Sequence, residues 1–179
     1  MLGNNACEGG IVPTGAVSRK SDDGAGTFDV NPPLSGNLGI ECRSGGATNK
    51  YQIVVTFPVP VAFSSATVSS GTGSVSGSLA SGNQIFVNLT GVTNAQRIAL
   101  TSVGVNDGIN TANVSVPMGV LIGDTNADGF ANSADISQTK SQSGQPVGGS
   151  NFRADVNTDG FLNSADISLV KSKSGTALP

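Results

Sequence analysis

The sequence lacks most of the side chains that catalytic and zinc sites use. It has no histidine and no tryptophan, one tyrosine and two cysteines among 179 residues. Cys7 and Cys42 lie too far apart in sequence for a short zinc-binding motif, and no histidine is available to complete one. No phosphate-binding glycine loop, nucleophile elbow or metal-hydrolase motif is present either. The sequence therefore predicts a protein that is not an enzyme.

Charge and long apolar runs are also scarce. Charged residues make up 12% of the chain, the formal net charge is −3, and the nine Lys and Arg form no cluster. This disfavours a nucleic-acid partner, which a basic patch would attract. No apolar run is long enough to predict a membrane span. Carbohydrate binding is disfavoured as well, because sugars stack on aromatic rings and Tyr51, within a predicted strand, is the only Trp or Tyr.

The residues that replace charge are Gly, Ser, Thr, Asn and Val, which suit short strands and tight turns. Residues 26–120 contain seven or eight short apolar or alternating segments separated by turn signals such as Asn106-Asp107-Gly108. This spacing predicts an antiparallel immunoglobulin-like β-sandwich, so the fold class is mainly β with a small α module. Residues 1–25 are predicted to form either an N-terminal arm or a first strand. The predicted core residues are Ile53, Val55, Phe57, Phe86, Val87, Leu89, Ile98, Leu100 and Val103.

The cysteines Cys7 and Cys42 predict one disulfide in an oxidising compartment. Such a bond would tie the N-terminal segment to the sandwich. Two unpaired thiols and an intermolecular bridge are the alternatives.

A duplicated unit occupies the third predicted region, residues 121–179. Residues 123–144 and 154–175 agree at 15 of 22 positions with an offset of 31, far more than chance predicts. In each copy, side-chain oxygens fall at loop positions 1, 3, 5, 9 and 12. A glycine stands at position 6, and the position 7 carbonyl faces the same centre. Calcium takes about six to eight oxygen ligands, whereas so many protein oxygens do not suit magnesium. The repeat predicts two calcium ions, bound by Asp124, Asn126, Asp128, Phe130, Asn132, Asp135, and by Asp155, Asn157, Asp159, Phe161, Asn163, Asp166.

The loops are EF-hand-like but carry Asp instead of Glu at position 12, and one helix follows each loop with no helix before it. This arrangement resembles the type I dockerin domain over residues 123 to about 175. The helices are predicted to start near Ser133 and Ser164. The resemblance implies docking onto a cohesin through residues after position 9 and further along each helix. These are Ser133, Ala134, Lys140, Ser141, Ser164, Ala165, Lys171 and Ser172. The alternative interpretation is that the serines cap the helices and the lysines are merely solvated.

The junction and the resemblance together set the functional hypothesis. Residues 118–123 run into the first loop without a linker, which predicts a fixed pose of the two modules. The N-terminal region resembles, less specifically, sandwich modules that precede dockerins in large secreted bacterial proteins, so an extracellular or cell-surface location is expected. We expect calcium-dependent protein interaction and assembly, with copies joined head-to-tail into surface filaments. An arm at residues 1–25 would alternatively add a strand to a neighbouring sheet.

The alternative function is that of a non-catalytic, dockerin-bearing tail of a secreted polysaccharide-degrading protein, which docks onto a cohesin scaffold. The expected partner is accordingly a cohesin-like β-sandwich or another copy of the chain.

Overall fold

The computed structural model describes residues 10–179, in which two β-sheets are followed by a small helical segment. The first sheet has the order β2-β1-β4-β7-β6 and the second has the order β3-β9-β8-β5. The strands of the first sheet are β1 (Gly15–Asp22), β2 (Gly26–Val30), β4 (Tyr51–Thr56), β6 (Ser74–Ser81) and β7 (Gln84–Thr90). Those of the second are β3 (Ile40–Glu41), β5 (Ser65–Ser70), β8 (Gln96–Asn106) and β9 (Thr111–Val120).

The core lies between the two sheets and consists of the inward-facing residues of alternating strands. Seven of the nine predicted core residues are buried, namely Ile53, Val55, Phe57, Val87, Leu89, Ile98 and Leu100. Phe86 and Val103 are only partly buried, so their assignment was wrong. Phe86 alternates with the inward-facing Ile85 and Val87. In β8 the inward-facing residues are Ile98, Leu100 and Ser102, so Val103 faces outward. A register shift after Ser102 then brings Val105, and not residue 104, into the core.

One strand pair departs from the predicted antiparallel arrangement. β3 pairs with β9 in parallel, with Ile40 opposite Gly119 and Glu41 opposite Val120. The pairing continues beyond β9, because the amide of Leu121 donates to the carbonyl of Glu41 at 3.0 Å. The two segments therefore leave the sandwich side by side. The two-sheet sandwich is present, whereas its immunoglobulin-like connectivity stays a prediction.

The N-terminal segment is a strand from residue 15 onward. β1 lies between β2 and β4 and pairs antiparallel with both. A strand that is paired on both edges has no free edge to offer to a neighbouring sheet, so strand addition by this part of the segment is excluded. Residues 1–9, which include Cys7, lie outside the described residues.

Cys42 carries a free, fully buried thiol in the described part of the chain. Its Sγ donates a long hydrogen bond to the carbonyl oxygen of Arg153 at 3.5 Å. Burial raises the pKa of this thiol to about 12. Because Cys7 lies outside the described residues, the predicted disulfide stays a prediction.

The C-terminal segment consists of two helices held together at their ends by a small sheet. Its elements are β10 (Phe130–Ala131), α1 (Ser133–Gln142), a 3₁₀ turn at Phe152–Ala154, α2 (Ser164–Lys173) and β11 (Thr176–Ala177). β10 and β11 pair antiparallel. Only Ile122, Val156 and Val170 form its buried apolar cluster, with Ile136 and Leu169 packed against them. So small a core needs another source of stability. Neither helix in residues 10–179 is long and apolar enough to cross a bilayer.

Candidate metal centres and docking surface

The first loop folds its oxygen-bearing side chains back onto its own backbone. Asp124 is fully buried, and its two carboxylate oxygens accept from the amides of Asp128 at 3.1 Å and Gly129 at 2.9 Å. Asn126 Oδ1 accepts from the amide of Asp128 at 3.0 Å. Asp128 Oδ1 accepts from the amide of Phe130 at 2.9 Å. These bonds hold the side chains at positions 1, 3 and 5 in one tight turn.

The position 12 carboxylate closes this loop against the start of α1. Asp135 is fully buried. Its Oδ1 accepts from the amides of Thr125 at 2.9 Å and Asn126 at 3.2 Å, and its Oδ2 accepts from the amide of Asn132 at 2.8 Å. One aspartate therefore joins both ends of the loop to the helix.

The second loop repeats this pattern at nearly the same distances. Asp155 accepts from the amides of Asp159 at 3.2 Å and Gly160 at 2.9 Å. Asp166 accepts from the amides of Val156 at 2.9 Å and Asn163 at 3.0 Å. The side chains predicted as ligands are thus brought together within each loop.

The helix caps are not the serines that the alternative interpretation named. Asn132 caps α1, its Oδ1 accepting from the amide of Ala134 at 2.7 Å, and Asn163 caps α2 in the same way. Ser133 and Ser164 are the first residues of their helices rather than caps. The capping interpretation of the two serines was therefore wrong, and position 9 is the one that supplies the cap.

The loops concentrate negative charge in buried positions. Burial raises the pKa of Asp155 to about 6, and the neighbouring Asp166 and Asp159 charges add to the rise. Burial also raises the pKa values of Asp124 and Asp166, each with a contribution from neighbouring carboxylates. A bound cation would offset this unfavourable charge.

The donor chemistry of each loop fits a hard cation. Among residues 10–179, no three carboxylate or thiol side chains converge closely enough to hold a metal by themselves. A complete ligand set must therefore include the amide oxygens and the backbone carbonyl as well. Oxygen donors without nitrogen or sulfur are the set that calcium prefers.

The eight predicted partner-binding residues are all exposed. In α1 they are Ser133, Ala134, Lys140 and Ser141, and in α2 they are Ser164, Ala165, Lys171 and Ser172. The Ser141 and Ser172 hydroxyls donate to carbonyls within their own helices, at 2.7 Å each. We call these eight residues the docking surface. Both halves of this surface, one on each helix, are accessible in the folded chain.

The sandwich and the helical segment meet along a hydrogen-bonded seam, which comprises residues 40–44, the turn at residues 22–24, and residues 121–125 and 152–160. The amide of Gly123 donates to the carbonyl of Cys42 at 2.9 Å, and the amide of Ser44 donates to that of Val156 at 2.7 Å. The ring of Phe152 stacks on that of Phe28 with centroids 5.3 Å apart.

Arg153 is the seam residue that sequence reasoning missed. Its guanidinium donates to three carbonyl oxygens: Thr125 at 2.9 Å, Asp124 at 2.9 Å and Ile40 at 3.0 Å. It therefore links the first loop to the sandwich. The only sequence signal was a lone arginine in the connector between the two copies.

Comparison with known families decides what the C-terminal segment resembles. Residues 122–173 match the family model of the dockerin type I domain. The resemblance noted from the sequence is thereby confirmed for the C-terminal third of the chain. No curated protein and no solved structure gave a significant match.

The family match supports a coarse functional assignment. Dockerin domains are non-catalytic modules that dock onto a protein partner in a calcium-dependent manner, and they occur in secreted or cell-surface bacterial proteins. The dockerin-like segment is therefore an interaction module.

Proposed function

We propose that this chain is an extracellular docking protein whose dockerin-like segment binds two calcium ions, one in each loop. The observation that carries the proposal is the full burial of four loop aspartates, Asp124, Asp135, Asp155 and Asp166, in a segment with a very small apolar core. No salt bridge in the described residues reaches them. Calcium would neutralise their charge and stabilise the segment.

The first ion would be held by the oxygens of one loop and the second by those of the other. The residues are Asp124, Asn126, Asp128, Asn132, Asp135 and the carbonyl of Phe130, and then Asp155, Asn157, Asp159, Asn163, Asp166 and the carbonyl of Phe161. Isothermal titration calorimetry of the full chain should show two bound ions. A stoichiometry of zero would contradict the proposal.

The docking surface would bind a β-sandwich partner. Its serines and alanines leave the backbone of each helix accessible, and its lysines add positive charge at the rim. Charge reversal by Lys140→Glu together with Lys171→Glu should abolish partner binding while calcium binding persists. Arg97→Glu, an exposed site on β8, is the control and should leave partner binding unchanged.

For the assembly, we propose that the partner is the sandwich of a second copy, so that copies join head-to-tail. The support is twofold. The seam places the docking surface at a defined position relative to the sandwich, and the outer face of the first sheet is open. A shallow depression of about 510 Å³ on that face is lined by Gln52, Leu79, Phe86 and Asn88, among others. Contacts between two different surfaces of a rigid unit produce filaments when they do not close into a ring.

Negative-stain microscopy and sedimentation of the purified chain test this assembly. We expect filaments or higher oligomers with calcium, and their loss with chelator or with the double lysine variant. Leu79→Lys on the open face should also prevent assembly. A chain that stays monomeric at high concentration with calcium, but binds a separate cohesin, would establish the scaffold-docking alternative instead.

A further inference from the structure

Asp22, the last residue of β1, is a buried carboxylate without a hydrogen-bond partner. Its side chain is fully buried, and neither of its oxygens accepts a hydrogen bond. Among residues 10–179, these are the only buried side-chain oxygen or nitrogen atoms left without a partner. A buried carboxylate is strongly unfavourable unless a cation or donors compensate its charge or it takes up a proton. The position therefore requires an explanation.

The nearest cation, Arg43, is committed to other groups. Arg43 Nη1 lies 3.8 Å from Asp22 Oδ1, beyond hydrogen-bonding distance. Its Nε and Nη2 donate to Glu41 at 2.9 Å each, and its Nη1 donates to the carbonyl of Phe28 at 3.1 Å. Although burial opposes it, this guanidinium holds the pKa of Glu41 below its usual value. Most of the charge and hydrogen-bonding capacity of Arg43 therefore stabilises Glu41, and little is left to stabilise Asp22.

The turn that follows Asp22 packs directly on the second loop. A Cβ placed on Gly160 would lie 2.9 Å from the carbonyl oxygen of Asp23 and 3.4 Å from that of Asp22. At the equivalent Gly129 of the first loop, no atom lies within 4 Å of such a Cβ. The sandwich therefore reaches the second loop and not the first at this position.

The same region carries an excess of buried negative charge. Asp22, Glu41 and Asp155 are fully buried, and Arg43 is the fully buried cation beside them. Burial raises the pKa of Asp22 to about 7; Arg43 opposes this rise and the charge of Asp155 adds to it. Lys20, which is partly buried, also faces Asp22 and favours its ionised form. These three carboxylates thus outnumber the two cations, and a further cation at the second loop would compensate the remaining negative charge.

We propose that Asp22 belongs to the cation site of the second loop, where its orphan oxygens coordinate the bound ion or accept a hydrogen bond from a water that the ion holds. The inference rests on the proposed calcium binding of the loops. Two consequences follow. The second loop binds calcium more tightly than the first, and the ion bound there fastens the dockerin-like segment to the sandwich.

The amides of Gly129 and Gly160 allow each loop to be followed separately. Each donates to the position 1 carboxylate of its own loop at 2.9 Å, so its chemical shift should respond when that carboxylate binds an ion. We would titrate the ¹⁵N-labelled full chain with calcium in a chelator-buffered series. In the unmodified chain, the Gly160 transition should precede the Gly129 transition.

Asp22→Asn is the decisive variant, and Asp23→Asn is its matched control. Asp22→Asn should raise the calcium midpoint of Gly160 about tenfold and leave that of Gly129 in place. Asp23 lies in the same turn but is exposed, so Asp23→Asn removes the same charge and should shift either midpoint by less than about twofold. An unchanged Gly160 midpoint in the Asp22→Asn chain, or an equal shift of both amides, would overturn the inference. No response of either amide in the unmodified chain would overturn the proposed function with it.

Thermal unfolding separates a cation site from a purely structural pairing of Asp22 with Arg43. With chelator, the Asp22→Asn chain should be at least as stable as the unmodified chain, because the orphan charge is gone. With calcium, it should lose part of the rise in Tm that the ion produces. Destabilisation of equal size in both conditions would show that Asp22 serves Arg43 alone, and would refute the inference.

Discussion

The two copies of the repeat share most of their sequence and most of their internal hydrogen bonds, yet they occupy different environments. In the first loop Asn126 and Asp128 are exposed, whereas the equivalent Asn157 and Asp159 of the second loop are partly buried. The difference arises because the turn after β1 covers the second loop. Local geometry therefore follows from the repeated residues, and accessibility follows from the neighbouring module.

The copies also differ in how they are attached to the sandwich. At loop position 2, the carbonyl of Thr125 accepts from the side chain of Arg153, whereas the carbonyl of Val156 accepts from the backbone amide of Ser44. Within the loops, the first is thus held by a long side chain and the second by the sandwich backbone, whereas the backbone bond of the first copy, from Gly123 to Cys42, lies just before its loop. This contrast predicts unequal stability of the two halves.

Calcium removal should have the largest effect. With chelator, we expect loss of the helical circular-dichroism signal and retention of the β signal, because the cluster of Ile122, Val156 and Val170 is too small to hold the helices against carboxylate repulsion. Hydrogen exchange should show α1 losing protection before α2, since the second copy is anchored to the sandwich. A helical signal indifferent to chelator would contradict the prediction.

Loss of Arg153 should have the next largest effect. Arg153→Met removes three hydrogen bonds and leaves the carbonyls of Asp124, Thr125 and Ile40 without this donor, which should cost about 3 kcal/mol. Urea unfolding with calcium measures this free energy, and exchange should accelerate in α1 more than in α2. The control Arg97→Met, at an exposed site, should cost less than about 0.5 kcal/mol.

A matched pair of glycine substitutions isolates the seam. Gly129 and Gly160 both have left-handed backbone, with φ of 89° and 82°, so alanine at either should cost about 1 kcal/mol. Gly160→Ala should cost about 1–3 kcal/mol more, because its Cβ would press on the carbonyl of Asp23 at 2.9 Å. Unfolding free energies measured with calcium give the difference. Equal costs would mean that the turn at residues 22–24 moves away from the added Cβ at no measurable cost in free energy, which would contradict the prediction.

The smallest expected effect is at loop position 4. Thr158 has φ of 58°, which is unfavourable for a β-branched residue, and the equivalent Ala127 has φ of 63°. Thr158→Asn should stabilise the chain by about 0.5 kcal/mol, since asparagine tolerates this conformation better. Ala127→Asn should gain less, because alanine has no branch to relieve. A calorimetric shift in Tm measures both variants, and a lower Tm for Thr158→Asn would contradict the expectation.

Features that depend on local sequence could be predicted well. The repeat, the loop positions and the helix starts near Ser133 and Ser164 follow from residue types at fixed spacing, and the structure has helices beginning at both serines. Most of the sandwich core followed from apolar alternation. Phe86 and Val103 were the exceptions, because each lies one residue out of phase with the inward-facing alternation of its strand. The burial of Val105 could not be predicted either, since it follows from a register shift after Ser102 that leaves little trace in composition.

The features that could not be predicted join distant parts of the chain. The parallel pairing of β3 with β9, the three bonds of Arg153 and the burial of Asp22 each depend on residues many positions apart. Neither Arg153 nor Asp22 belongs to a repeated motif, so nothing in their immediate sequence distinguishes them from solvated charges.

By itself, the sequence determined a duplicated loop-and-helix unit rich in oxygen donors, because hydrogen bonds between a side chain and its own loop need only the right residues at short spacing. Only the tertiary structure decided that positions 3 and 5 are partly covered in the second loop and exposed in the first. That choice depends on which surfaces the parallel strand pair brings together, and it determines which carboxylates are buried beside each loop.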